Sequence, residues 1–139
     1  MDDAEKPIVK VLDAYKAAVF AKDLARFVAL YDQDVRVFDV WGEWSYDGVE
    51  AWRGMAADWF GSLGAERVAV TVDDVRTVLA PPVAVVHAFV TYEALSPEGR
   101  RLRAMQNRLT WALEQRGAAW KIIHEHTSAP ADFGTLKIM

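Results

Sequence analysis

The character of the apolar pattern changes at Gly64, and that change limits the folds open to this chain. Ahead of Gly64 the apolar residues mostly recur every three or four positions. Behind it they alternate with polar residues in Val- and Thr-rich runs. The two periods need different partners, because a helix buries one stripe and a strand buries one face. Helices therefore dominate the first part of the chain and strands the second. Helices gathered on one side of a strongly bent antiparallel sheet make an α+β fold.

Pro7 lacks an N–H, which a helix tolerates in its first turn, and the acidic residues before it suit the positive helix end. Ile8, Val11, Leu12, Tyr15 and Val19 form one stripe and predict a helix over residues ~7–21. Asp23 caps a short second helix with Leu24, Phe27, Val28 and Tyr31 facing inward, and Asp32 to Asp34 break it. Val35, Val37, Asp39 and Trp41 alternate with Arg36, Phe38 and Val40 and read as a strand. Asp39 is the odd member of its otherwise apolar face. A turn-rich link follows, carrying Trp44 and Tyr46. Trp52, Met55, Ala56, Trp59 and Phe60 predict a third helix over residues ~49–61. Four antiparallel strands are predicted over residues ~66–79, ~83–95, ~100–115 and ~118–127. Pro81-Pro82, Ser96 to Gly99 and Arg116-Gly117 turn the chain between them. Residues 131–139 read as a loosely docked tail. No repeat or linker interrupts the chain, so residues 1–139 read as a single domain with its core over ~7–130.

Composition narrows the function. The 139 residues include no cysteine, which excludes disulfide scaffolds, thiol nucleophiles and zinc–thiolate sites. A net charge of −4 lacks the basic surplus of a nucleic-acid binder, so no nucleic-acid partner is expected. No apolar run reaches the ~18 residues of a membrane span. MDDAEK at the start has neither a basic nor an apolar signal region, and the expected location is the cytoplasm. No glycine-rich phosphate loop, serine elbow or dinucleotide fingerprint occurs. Six Trp, four Tyr and six Phe supply more large apolar surface than a compact core of this size needs. A wide cavity or an oligomer interface would take up the excess.

The element order, with the ending Trp120-Lys-Ile-Ile-His-Glu-His-Thr-Ser-Ala-Pro130, resembles the nuclear transport factor 2-like superfamily. It is most similar to the SnoaL-like and ketosteroid isomerase-like members. The resemblance covers residues ~7–130 and implies a cystatin-like α+β roll: a cone-shaped, curved antiparallel sheet packed on three N-terminal helices around a pocket open at one end. It further implies a homodimer through the outer face of the sheet. Ketosteroid isomerases place an oxyanion-donating tyrosine in the first helix, a basic aspartate in the first strand and a protonated aspartate on the penultimate strand, the last a worked case of a carboxyl kept neutral by its surroundings. Here "AYKAAV" supplies Tyr15, "VRVFD" supplies Asp39, and "RAMQNRL" supplies Asn107 in place of the second aspartate. An amide still donates without an unusual pKa, but more weakly. The chain also resembles the association domain of calcium/calmodulin-dependent protein kinase II, whose cavity holds arginines. Those positions fall on Val90, Leu109 and Thr127, so an apolar ligand fits better than an anionic one.

On this resemblance Val90, Tyr92, Met105, Asn107, Leu109, Trp111, Ile123, Glu125 and Thr127 face the cavity. Arg108, Thr110, Trp120, His124 and His126 take the outer face. Asp39 is a general base with a pKa raised by desolvation, or a carboxylate capping its own turn. Tyr15 aims its hydroxyl at a ligand oxygen or lies in the core. Glu125 is an alternative base. Trp41, Trp44 and Trp59 shape the pocket or belong to the core. His124 and His126 share a strand face, yet no third ligand is spaced for a metal, so no metal or cofactor is expected. His87 reads as structural, and Arg100, Arg101, Arg103 and Arg108 as a solvated strand edge. The function expected is a small-molecule pocket protein, an isomerase, cyclase or dehydratase using an aspartate base on an apolar carbonyl substrate. The alternative is a non-catalytic ligand-binding or homo-oligomeric assembly module.

Overall fold

In the computed structural model the described residues are 3–138. Met1, Asp2 and Met139, the outermost residues of the single domain expected over 1–139, lie outside them. A 3-10 turn, Asp3–Glu5, leads into α1 (Lys6–Ala21), which buries the expected stripe with Ala18 added. Lys22 ends the helix in the left-handed conformation (φ 53°). The Asp23 carboxylate accepts from Arg26 N at 3.1 Å and caps α2 (Leu24–Val28).

The structure corrects the reading of the next segment. Tyr31 is not on the helix and Asp32 to Asp34 do not break one, because β1 spans Tyr31–Phe38. Pairing decides this: Ile122 N donates to Leu30 O at 2.9 Å and Tyr31 lies opposite Ile122. A long-range ladder outweighs local turn propensity. β1 also ends earlier than expected, leaving Asp39 and Trp41 beyond it. There Val40 N turns to Thr127 Oγ1 (3.0 Å) and leaves the ladder. The link beyond holds a short strand that the sequence did not announce, β2 (Tyr46–Asp47), paired antiparallel with Arg36 and Val37.

α3 (Val49–Ser62) precedes β3 (Arg67–Ala80), β4 (Val83–Leu95), β5 (Arg101–Arg116) and β6 (Ala119–Ser128). The six strands form one curved, unclosed sheet in the order β2-β1-β6-β5-β4-β3. β1 and β6 run parallel, and every other neighbouring pair is antiparallel. Bulges supply local bend and twist, including one in β3 between Asp73 and Arg76 where Asp74 has φ 51°. The helices cover the inner face. Phe27 sits at the centre of that packing, with ring centroids 5.2 Å from Tyr31, 5.6 Å from Phe60 and 5.7 Å from Tyr15.

A bulge in β6 corrects the expected facing of two residues. Ala112 pairs with His124 and Leu113 with Ile122, so Ile123 is the extra residue. Alternation inverts there: Trp120, expected outside, is buried in the core with Ile122, and Ile123, expected inside, is only half-buried. Past the bulge Glu125 and Thr127 are buried and His126 is exposed. The tail turns back on itself, with Ala131 bridged to Ile138 and the Asp132 carboxylate accepting from Thr135 N at 2.8 Å. Among the described residues no helix is long and apolar enough to cross a membrane.

Candidate functional site

A cavity of about 690 Å³ opens between α3, the loop after β1 and the inner face of β4, β5 and β6. Its wall is mostly apolar and aromatic, lined by Tyr46, Trp52, Met55, Trp59, Tyr92 and Met105, with charged and polar side chains set among them. Trp59 meets Tyr92 edge-on at 5.9 Å. At the mouth the Trp41 indole N–H points at Met105 Sδ, 3.0 Å away. Gly42 lets the loop turn there with φ 83°, and a Cβ at that position would collide with the Tyr46 hydroxyl.

Of the residues singled out from sequence, the structure gathers Tyr15, Asp39, Asn107, Trp41, Trp59, Tyr92 and Glu125 on this wall. It leaves out Trp44, Val90 and Leu109, and also Trp111, Ile123 and Thr127, which the resemblance turns toward the cavity. Trp44 points into solvent at 97% exposure, because the loop closes around the Tyr46 hydroxyl, which accepts from Glu43 N at 3.3 Å. Val90 and Leu109 lie on the cavity-facing side of their strands, but deeper, fully packed in the core.

Tyr15 and Tyr92 share a hydrogen bond of 2.7 Å between their hydroxyls. One proton of the pair is spent on that bond, and the other is left for a ligand. Burial pushes both hydroxyls well above the usual phenol range, so they stay protonated donors. Asp39 Oδ1 accepts from Thr127 Oγ1 at 2.8 Å. Burial raises the Asp39 carboxyl above the ordinary aspartate value, against the Thr127 hydroxyl and the neighbouring backbone N–H groups, which hold it down. Asn107 is 5% exposed, and its amide meets no hydrogen-bonding partner among the described residues.

Glu125 lies deepest, at 1% exposure. Its Oε1 accepts from Tyr31 Oη (2.6 Å) and Trp111 Nε1 (2.8 Å). Burial pushes the carboxyl up to about 7 against those two donors, and the charge of Asp39 adds to the rise. Tyr31 is the partner the sequence concealed, since its segment read as a helix end. No periodic signal could have revealed it, because its neighbour is 94 residues away.

Outside the cavity, His124 Nδ1 lies 2.7 Å from Arg36 O, and both His124 and His126 pack edge-on against Phe38. Among the described residues no three His, Asp or Glu side chains gather closely enough to hold a metal ion.

The fold is shared with solved structures. An NTF2-like protein of unknown function from Pseudomonas putida matches with a TM-score of 0.84 at 23% identity, over 98% of this chain and 93% of that one. Aln2 from a Streptomyces species matches at 0.81 and 12% identity, over 92% and 91%. A protein of unknown function with a cystatin-like fold from Nostoc punctiforme matches at 0.72 and 13%, over 89% of each chain. No curated protein matches the sequence. Identities this low speak for the fold alone, but a sequence model of the SnoaL-like domain matches residues 8–132, from the first buried residue of α1 to the turn after β6. A match of that extent, on a chain that folds into this curved, unclosed sheet over three helices, makes the protein a member of the SnoaL-like domain family within the NTF2-like superfamily.

Proposed function

We propose that the cavity binds a small, mainly apolar carbonyl compound and transfers a proton beside its carbonyl, as an isomerase, cyclase or dehydratase does. Asp39 removes the proton. The Tyr15–Tyr92 pair and the Asn107 amide donate to the oxygen on which charge develops. These groups all come from the chain, so the reaction needs no cofactor. The observation that carries the reading is the joint opening of a desolvated Asp39 carboxyl and the unpaired Asn107 amide onto one apolar cavity. Such a base gains strength from burial, and such a donor has nothing else to bind.

The Thr127 hydroxyl on Asp39 Oδ1 favours a second reading, ligand binding without turnover, in which Asp39 anchors the loop. Asp39→Asn separates the two. Turnover of a bound carbonyl compound falls at least ~100-fold, with Kd changed less than ~3-fold, if Asp39 is the base. Loss of melting temperature with no turnover in either protein supports the binding module. We further propose a homodimer through the outer face of the sheet, where Phe89 is exposed beside Arg108.

A further inference from the structure

We propose that the ligand of this cavity carries a cationic group, an alkylammonium or iminium, on its apolar body. This rests on the reading of the cavity as a small-molecule site and narrows the substrate class. Four carboxyl groups line the cavity: Glu125 at its floor, Asp39 and Glu43 on the loop after β1, and Asp58 on α3. Arg103 is the one basic residue on the wall among the described residues, and Glu66 takes its guanidinium at 2.7 Å. The wall is thus negative without internal compensation, and an anionic ligand is disfavoured.

Trp41, Trp59 and Tyr92 line the same cavity as these carboxyls. Ring faces in a desolvated site attract a cation, and an ammonium tolerates both the rings and a carboxylate. Glu125 has donors on one of its two oxygens alone. Both hydrogen bonds to Glu125 end on Oε1, and Oε2 meets no donor among the described residues. The Asn107 side chain, on the same wall and 5% exposed as a residue, also has no partner among the described residues. A neutral hydrocarbon would leave these acceptors unanswered, whereas an ammonium supplies charge and, where it has N–H groups, donors.

Glu125 adds a pH signature. The groups that face it are Tyr15 from α1, Tyr31 from β1, Asp39 from the loop, and Tyr92 and Trp111 from β4 and β5. None of these is a cation, so a bound cation is the group that favours ionised Glu125. Binding is then coupled to loss of its proton and tightens as pH rises through about 7.

The test compares benzyltrimethylammonium with neopentylbenzene, which has the same shape with carbon in place of the charged nitrogen. Binding is read from tryptophan fluorescence at pH 8 and pH 5.5. The quaternary probe does not titrate, so any pH dependence belongs to the protein. The expected result is a cation bound at least tenfold more tightly than its isostere at pH 8, with the ratio shrinking at pH 5.5. Asp58→Asn, an exposed helix position that leaves the fold intact, and Glu125→Gln should each weaken the cation and leave the isostere unchanged. An isostere bound as tightly as the cation overturns the proposal and leaves the apolar pocket standing. Cation affinity unchanged in both variants overturns it by placing binding elsewhere. Failure of both probes to bind overturns it together with the pocket reading.

Discussion

Glu125 has exchanged water for two donors, the Tyr31 hydroxyl and the Trp111 indole, both on one of its oxygens. The exchange is incomplete, which is why its pKa rises to about 7 from the ordinary 4.5. The consequence for stability has a definite sign. Below pH 4.5 the folded and unfolded chains both hold the proton and the group contributes nothing. Between 4.5 and 7 the unfolded chain releases it first, so stability falls as pH rises. Above 7 the loss is complete, about 3 kcal/mol by linkage. Glu125→Gln keeps an acceptor for Tyr31 and Trp111 and removes the titration. Relative to wild type, this variant should gain about 3 kcal/mol between pH 4.5 and pH 8, measured by urea unfolding at both pH values. A difference independent of pH would show that the buried carboxyl titrates normally. Asp39 sits in a milder version of the same conflict, being only half-buried and held by Thr127.

At the scale of elements, legibility in the sequence followed the range of the interaction. The stripe of α1, the Asp23 cap and the alternation of β4 and β5 are set by neighbours a few residues away, and all were readable. Tyr31 and Asp32 to Asp34 were not, because their strand exists through pairing with a segment about ninety residues on. Trp120 was misplaced for a related reason: a strand's parity persists only until a bulge, and Ile123 carries no mark of being one. Alternation also names a face without giving depth. One face of β5 runs from Met105 and Asn107 on the cavity wall to Leu109 and Trp111 in the core, and only the packed structure separates them. The bulge itself yields a prediction. Deleting Ile123 removes the bulge and leaves Trp120, Ile122, Glu125 and Thr127 on one face by simple alternation. The variant should keep a cooperative thermal transition and its near-ultraviolet circular dichroism, since one register then buries both pairs. Loss of that transition would show that the bend supplied by the bulge is itself required for the fold.

For the whole molecule the sheet order matters more than any single contact. β6 lies between β1 and β5, so the last strand in sequence enters the middle of the sheet. It joins a half built from β1 and β2 to another built from β3, β4 and β5, and it brings Glu125 to the cavity wall and Thr127 to the Asp39 carboxylate. Chains stopped before residue 119 should keep α1, lose the parallel pairing of β1, and expose the rings around Phe27. Pulse proteolysis of such chains should show rapid cleavage, whereas chains extended through residue 128 resist. Protection of the shorter chains would show that the two halves close without β6.

The same order bears on how the protein is made. A ribosome delivers the α1 stripe, the ring cluster and five of the six strands while the slot for the sixth stands empty. Through that interval β1 and β5 each present an unpaired edge to any passing strand, including one from a neighbouring nascent chain. The slot at the centre of the cone is therefore the point where synthesis in crowded polysomes can exchange strands between copies, and where a holding chaperone has most to protect.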